Sequence, residues 1–162
     1  MTTRREILFT ATRSAAALAA ISPTGRASAA ETFEVNLTDA QWRAKLTPQQ
    51  YTVLRREATE YPGSSPLNKE NRAGTYACAG CALPLFSSRT KFESGTGWPS
   101  FWKPLENAVA TRKDGMLGMA RTEVHCRRCG GHMGHVFADG PRPTGLRYCM
   151  NGVSLTFTPQ NT

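Results

Sequence analysis

The sequence predicts a single, mainly β domain with antiparallel sheets and one or two helices at its N-terminal end. Short runs of strand-forming residues begin at Thr75 and are separated by Gly, Pro, Asn or Asp. Two capped helix starts precede these runs, and no long amphipathic period follows them. The chain has 162 residues, which is the usual size of one domain. This order of elements is typical of helices that pack against a β domain.

Residues 1–29 have the features of an export signal. Paired arginines precede a weakly apolar stretch, Ala15 to Ile21, and the small-residue sequence Ala27-Ser28-Ala29 follows. The apolar stretch is too short to span a bilayer. The pattern resembles the twin-arginine signal of bacteria, so we expect cleavage after Ala29 and a periplasmic or exported domain over residues 30–162. A short amphipathic helix is the alternative interpretation.

Two helix starts follow, and both carry the residues of a capping box. "TDAQW" places Thr38 as N-cap with Gln41 three residues on. "TPQQY" places Thr47 as N-cap, Pro48 at the first helical position and Gln50 as the reciprocal cap.

The second helix is predicted to run to about Thr59. The prolines and the glycine of "YPGSSP" end it there, because they cannot continue the hydrogen-bond ladder. Tyr51, Leu54 and Ala58 share one face of this helix, which predicts packing against a sheet.

Seven candidate strands follow the helices, each bounded by turn residues. They are "TYAC", "ALPLFSS", "AVATRKD", "GMARTEVHC", "GHVFAD", "LRYCMN" and "VSLTFTP". Their short, regular spacing favours antiparallel pairing.

Four of the five cysteines form two Cys-x-x-Cys pairs, Cys78 with Cys81 and Cys126 with Cys129. Four thiolates can hold one structural Zn²⁺ tetrahedrally, with each pair bending round a tight turn. The 44 residues between the pairs exceed the spacing of a zinc ribbon, so we expect the two turns to come from well-separated loops. Two disulfides, which form readily in an oxidising compartment, and a redox-active pair are the alternatives.

The charge of the chain does not indicate a polyanionic partner. The net charge is +8, of which residues 1–29 contribute +3 through four arginines and one glutamate, leaving +5 for the rest. No basic run or basic helical stripe is present, so we expect no nucleic-acid partner. We also expect no membrane contact beyond export, and a monomer.

Three further motifs, "ESGTGWPSFW", "CRRCGGHMGHVFADGP" and "RYCMNGVSLTF", accompany the cysteine pairs. In this order they resemble the motifs of B-type methionine sulfoxide reductases, and the resemblance runs from about Thr38 to Thr158. It implies a β-tent-like fold with a zinc clip. It also implies protein repair after oxidative stress, by reduction of methionine R-sulfoxide in proteins or peptides at the expense of a thiol.

The resemblance makes the unpaired Cys149 the nucleophile, whose thiolate attacks the sulfoxide sulfur and becomes a sulfenic acid. Arg147 lies two residues away on the same face of an extended strand, where its cation favours the thiolate. His135 is expected to donate the proton that the leaving oxygen needs, with His132 as its orienting partner and Asn151 in the same hydrogen-bond network. Taken without the resemblance, the cysteine is also typical of a small buried hydrophobe, and the histidines of structural or surface positions.

Three residues are expected to bind substrate. The resemblance places Trp98 against the S-methyl group, since an aromatic face accepts apolar contact and a partly positive sulfur. Phe101 is expected to assist it, and Asp139 corresponds to the polar surround of the family's site. Without the resemblance, a Trp-Pro turn is typical of core packing, and an Asp-Gly turn explains Asp139 equally well.

One position departs from the family's pattern. Many members carry a cysteine two residues before the tryptophan, which attacks the sulfenic acid and forms a disulfide. Here the sequence is "GTGW", and the position is Thr96. With four cysteines on zinc, we expect an external thiol, from a thioredoxin-like donor or another reductant, to regenerate Cys149.

Two other functional classes use the same residues differently. A binding module with a zinc-clipped β fold explains the four paired cysteines and the sheets, because fold does not fix function. It does not explain why the remaining motif residues all match. A zinc hydrolase needs an open coordination position, and its histidines would have to replace thiolates.

Overall fold

The structure of the chain, a computed structural model, describes residues 31–115 and 121–160. The predicted export signal therefore lies outside the described residues. Within them, no helix combines the length and the apolar character that crossing a membrane requires.

The two helices are α1, Asp39–Lys45, and α2, Pro48–Arg56. Both capping boxes form as the sequence predicts, with the threonine side chain accepting from the backbone of the third helical residue. The second helix ends three residues before the predicted Thr59, because Glu57 adopts the left-handed conformation at the C-cap, with φ 57°. Ala58 is therefore not on its buried face.

The β strands begin after a short 3-10 turn. In the described residues they are β1 Gly74–Cys78, β2 Pro84–Ser87, β3 Lys91–Phe92, β4 Ser100–Phe101, β5 Val109–Asp114, β6 Arg121–Cys126, β7 His132–Phe137, β8 Arg147–Met150 and β9 Leu155–Pro159. All seven predicted strands are present, although part of the "GMARTEVHC" candidate lies outside the described residues. The two-residue strands β3 and β4 were not predicted.

The strands form two antiparallel sheets, which confirms the predicted fold class. The first has the order β2-β1-β9 and the second the order β3-β4-β8-β7-β6-β5. Strand β8 lies inside the second sheet, between β4 and β7, so its backbone is hydrogen-bonded on both sides. Helix α2 packs against β7 and against the 3-10 turn that follows β8.

The hydrophobic core lies between the two sheets. Tyr76 and Phe86 come from the first sheet, and Phe101 and Met133 from the second; all four are fully buried. The rings of Phe86 and Phe101 stack with 4.4 Å between centroids. This close packing fixes the position of β4, which borders the strand that carries Cys149.

Candidate active site

One cross-strand row of the second sheet carries most of the predicted chemistry. Cys149 is paired with Ser100 on β4 and with His135 on β7, and His135 is in turn paired with Glu123 on β6. Paired residues on neighbouring strands point to the same face of a sheet and lie about 5 Å apart. Backbone register therefore brings the predicted nucleophile and the predicted proton donor together.

A glycine lets β7 approach β8 closely beside the nucleophile. A Cβ atom at Gly134 would lie 2.1 Å from the carbonyl oxygen of Cys149, and the φ of this residue is 150°. Any side chain at this position would push the two strands apart, so the geometry of the site depends on glycine here.

A cavity of about 210 Å³ opens over this row. Four predicted site residues line it, namely Trp98, His135, Cys149 and Asn151, together with Thr59, Arg121, Gly134 and Phe137. The rings of Trp98 and Phe137 give it apolar walls beside a thiol and an imidazole. Such a cavity suits a small, uncharged side chain that carries one polar group.

His135 is held by a carboxylate. Its Nε2 lies 2.8 Å from Oδ2 of Asp114, which also accepts from Arg121 at 2.9 Å. Burial lowers the pKa of His135, and the hydrogen bond to Asp114 opposes that shift only in part. The imidazole is therefore mostly neutral at pH 7 and takes up a proton below its ordinary range.

His132 lies behind His135 and does not line the Cys149 cavity. Its Nδ1 lies 2.7 Å from Oε1 of Glu123, and the two imidazole centroids are 5.4 Å apart. Burial raises the pKa of Glu123, but the hydrogen bond from His132 and the charges of His132 and Arg112 outweigh burial and lower it. Glu123 is thus ionised and fixes the orientation of the His132 ring.

Arg147 is fixed from two sides next to the nucleophile. Its Nε and Nη2 donate to the carboxylate of Asp139 at 2.9 and 2.8 Å, and its guanidinium lies 4.4 Å from the centroid of the Phe137 ring. The hydrogen bonds to Asp139 raise the pKa of Arg147, and the Cys149 thiol contributes to the same shift. Asp139 does not line the cavity described above; its carboxylate pairs with Arg147, and its role in substrate binding stays a prediction.

Phe101 does not reach the cavity either. Its side chain has no exposed surface and packs between Tyr76 and Phe86 in the core. The expectation that it assists Trp98 in binding substrate is corrected accordingly. The phenylalanine that does line the cavity is Phe137.

A chain of hydroxyl groups ends at the nucleophile. Oγ1 of Thr96 lies 3.7 Å from Sγ of Cys149 and 2.8 Å from Oγ of Ser94, which is 2.8 Å from Oγ of the buried Ser100. The Ser100 hydroxyl donates to the carbonyl oxygen of Trp98 at 3.1 Å. The position that differs from the resembled family therefore touches the predicted nucleophile through a hydroxyl.

The four paired cysteines come together at the ends of β1 and β6. Their Sγ atoms all lie within 4.8 Å of one another, with 3.7 Å between Cys78 and Cys129 and 3.5 Å between Cys81 and Cys126. All four are free thiols. A tetrahedral ion with metal–sulfur bonds of about 2.3 Å places its sulfurs about 3.8 Å apart, so the cluster fits one such ion.

The four thiols of the cluster shift one another's pKa. Hydrogen bonds with the neighbouring thiols raise the pKa of Cys78 and lower that of Cys81. In both cases the hydrogen bond with Cys126 has the largest effect. Four thiolates this close repel one another in a buried site unless a positive ion lies between them.

The sequence reasoning missed three acidic residues at the site, Glu60, Asp114 and Glu123. A signal existed for Glu123, because a charged residue in the middle of a buried strand normally has a partner on the neighbouring strand. No local signal existed for Glu60, whose backbone N–H donates to Oδ1 of Asn151 across 91 residues of sequence.

The sequence of this chain is similar to those of known proteins over most of its length. The SelR domain family matches residues 46–159. A "Peptide methionine sulfoxide reductase MsrB" of Leptospira interrogans is 55% identical over 126 residues, which cover 77% of this chain and 96% of that protein. Proteins of the same name from Agrobacterium fabrum and Pseudomonas putida are 53% and 54% identical, over 78% and 79% of this chain and 94% and 97% of their own lengths.

Proposed function

Because the chain belongs to the MsrB family of peptide methionine sulfoxide reductases, we propose that it reduces methionine R-sulfoxide in proteins or peptides to methionine. The observation that carries the proposal is the pairing of Cys149 with His135 in one cavity that Trp98 also lines. A nucleophile, a proton donor and an apolar wall are what sulfoxide reduction requires.

The first step transfers the oxygen to the enzyme. The sulfoxide's S-methyl group lies against Trp98, and the Cys149 thiolate attacks the sulfoxide sulfur while His135 protonates the oxygen. The oxygen ends on Cys149 as a sulfenic acid, so Cys149 is oxidised by two electrons and the methionine sulfur is reduced by two. Arg147, held by Asp139, stabilises the attacking thiolate.

The second step uses an external reductant. One thiol attacks the sulfenic acid, releases water and forms a mixed disulfide with Cys149; a second thiol then frees Cys149 and leaves as a disulfide. Thr96 supplies no thiol, and the other four cysteines lie together in the cluster at β1 and β6. We therefore propose a one-cysteine cycle served by a thioredoxin-like or other thiol donor.

We propose zinc as the ion of the four-cysteine cluster. Cys78, Cys81, Cys126 and Cys129 offer four sulfur ligands and leave no open position, which is the pattern of a structural site. Zinc bound there supplies stability, and the reaction takes place in the Cys149 cavity.

We further propose that residues 1–29 direct export by the twin-arginine route, with residues 30–162 as the mature reductase. The paired arginines and the Ala27-Ser28-Ala29 sequence support this proposal. Because that route carries folded proteins, the cysteine cluster would load its ion in the cytoplasm, before the protein meets an oxidising compartment.

The test of the proposed function is an assay with the separated R and S epimers of a blocked methionine sulfoxide and dithiothreitol. Reduction of the R epimer alone supports the proposal. Failure of a folded, metal-loaded protein to reduce either epimer would favour a binding module on the same fold.

The one-cysteine cycle predicts the products of a single turnover without reductant. The parent protein should gain the mass of one oxygen atom and react with a sulfenic acid probe, whereas Thr96→Cys should instead lose two hydrogens by forming a disulfide with Cys149. The 3.7 Å contact between these side chains makes that disulfide accessible. Intact mass spectrometry distinguishes the two, with Thr96→Ser as the matched control. A disulfide to Cys149 in the parent would contradict the cycle.

The depressed pKa of His135 predicts how the rate depends on pH. Single-turnover rates of His135→Asn should fall about 100-fold or more relative to the parent, because a general acid is lost. Since the parent needs protonated His135 and burial lowers the pKa, the parent-to-variant rate ratio should be largest at low pH and fall as the pH rises through the His135 pKa, below 6.5. Contributions to the pH dependence that the parent and the variant share cancel in this ratio. A ratio independent of pH would exclude His135 as the acid.

A further inference from the structure

Glu60 lies between the residue that faces the substrate and the segment that follows the nucleophile. Trp98 precedes β4, while Asn151, Gly152 and Val153 come directly after the strand that carries Cys149. Building on the proposed function, we infer that Glu60 is a positioning residue, which sets the place of the Trp98 ring relative to Cys149.

The backbone of Glu60 contacts two cavity residues at once. Its carbonyl oxygen accepts a hydrogen bond from the indole Nε1 of Trp98 at 3.2 Å. Its N–H donates to Oδ1 of Asn151 at 3.0 Å, in a buried contact. One peptide segment thus joins the tryptophan wall of the cavity to the wall beside Cys149.

The side chain of Glu60 fixes that segment in place. It is 6% exposed, and its two carboxylate oxygens accept from the backbone N–H of Gly152 at 2.6 Å and of Val153 at 3.0 Å. Burial raises the pKa of Glu60, these two N–H groups oppose the shift, and no cation contributes to it. The carboxylate is therefore anchored by the backbone three and four residues beyond the nucleophile.

The turn after the nucleophile packs closely at Gly152, although the Glu60 side chain also borders a second cavity of about 320 Å³. A Cβ atom at Gly152 would lie 2.0 Å from Oγ of Ser65 and 3.3 Å from Oε1 of Glu60. Asn151 is held as well, since both its backbone N–H and its Nδ2 donate to the carbonyl oxygen of Met133, at 2.7 and 3.2 Å. Because these contacts hold the turn in place, we expect a change at the Glu60 carboxylate to shift the Glu60 backbone, and with it the acceptor of the Trp98 indole.

Glu60→Gln is the informative substitution. Glutamine has the size of glutamate but offers only one oxygen, so its NH₂ group would meet one of the two backbone N–H donors. An unpaired donor in a buried site displaces the segment or costs stability. Glu70→Gln is the matched control, because Glu70 also accepts from a backbone N–H, that of Arg72 at 3.0 Å, away from the cavity.

The first measurement does not depend on catalysis. In a ¹H–¹⁵N spectrum the indole N–H signal of Trp98 is identified by its loss in Trp98→Phe. We expect Glu60→Gln to shift this signal and to speed its exchange with water, and Glu70→Gln to leave it in place. An unmoved Trp98 signal in folded Glu60→Gln would overturn the inference, even if the protein proved to have a different activity.

The second measurement is steady-state reduction of the R epimer, well below the melting temperature of each variant. Glu60→Gln should lower kcat/KM about 10- to 100-fold, with a higher KM, since misplacement by about 1 Å has effects of this size. Glu70→Gln should match the parent. In a double-mutant cycle, the losses from Glu60→Gln and Trp98→Phe should be less than additive, because both act through one ring. The inference would be overturned if the two losses in kcat/KM were fully additive, or if the kinetic constants of Glu60→Gln equalled those of the parent.

Discussion

We expect replacement of Cys149 by serine to abolish reduction of methionine R-sulfoxide and to leave the fold intact. The hydroxyl of serine is not ionised near neutral pH and cannot take up the oxygen as a sulfenic acid does. We expect a loss on the order of 10⁴-fold or more, as for the removal of other enzymatic nucleophiles. The fold should survive because Cys149 is only half-buried and the change replaces one small polar atom by another.

The measurement compares the parent and Cys149→Ser with the R epimer and dithiothreitol, together with their melting temperatures by circular dichroism. Thr96→Ser is the control, since it changes a side chain that touches the same thiol but removes no sulfur. If Cys149→Ser retained turnover, the nucleophile would be another cysteine. Cys81, the least buried of the four clustered thiols, would then be the first to replace.

We expect removal of the proposed zinc ion from the cysteine cluster to unfold the domain. The cluster joins the end of β1 in one sheet to the end of β6 in the other. Structural zinc contributes about 10 kcal/mol or more in small metal domains, which is comparable to the whole stability of a protein of this size. Without the ion, buried thiolates repel one another and the contact between the sheets is lost.

The measurement is metal content by elemental analysis, together with thermal unfolding with and without a strong chelator. One ion per chain and a sharp fall in melting temperature after chelation are expected, and Cys129→Ser should reproduce that fall. Cys149→Ser is the matched control, because it removes a thiol outside the cluster and should leave the metal content unchanged. A metal-free protein with the same melting temperature, and with four thiols unreactive to alkylation, would favour the two-disulfide interpretation.

Local chemistry made much of the fold predictable. The capping boxes at Thr38 and Thr47 are satisfied within three residues, so the sequence contains both partners of each hydrogen bond. The longer strands are recognisable because strand-forming residues and turn residues alternate. The β3 and β4 strands were not predicted because two residues are too few to show a period, and because β4 pairs with β8, far along the chain.

Only part of the cavity lining was predictable from the sequence. The motifs pointed to Cys149, His135 and Trp98, which the structure brings to one cavity. They could not show that Asp139 binds Arg147 or that Phe101 fills the core, because both depend on which face of a strand or turn meets the rest of the molecule.

The cross-strand row also determines which segments of this protein can change length and which cannot. The row has one residue on each of four adjacent strands, β4, β8, β7 and β6. The distance between neighbouring strands, about 4.8 Å, therefore sets the spacing of its side chains. Connections that carry neither a site residue nor a clustered cysteine can lengthen without moving the row. Deleting a single residue within β8 would turn Cys149 to the opposite face and bring a bulky neighbour, Tyr148 or Met150, over the cavity. Diversity in proteins built this way should therefore accumulate in the connections, while the strand lengths stay fixed.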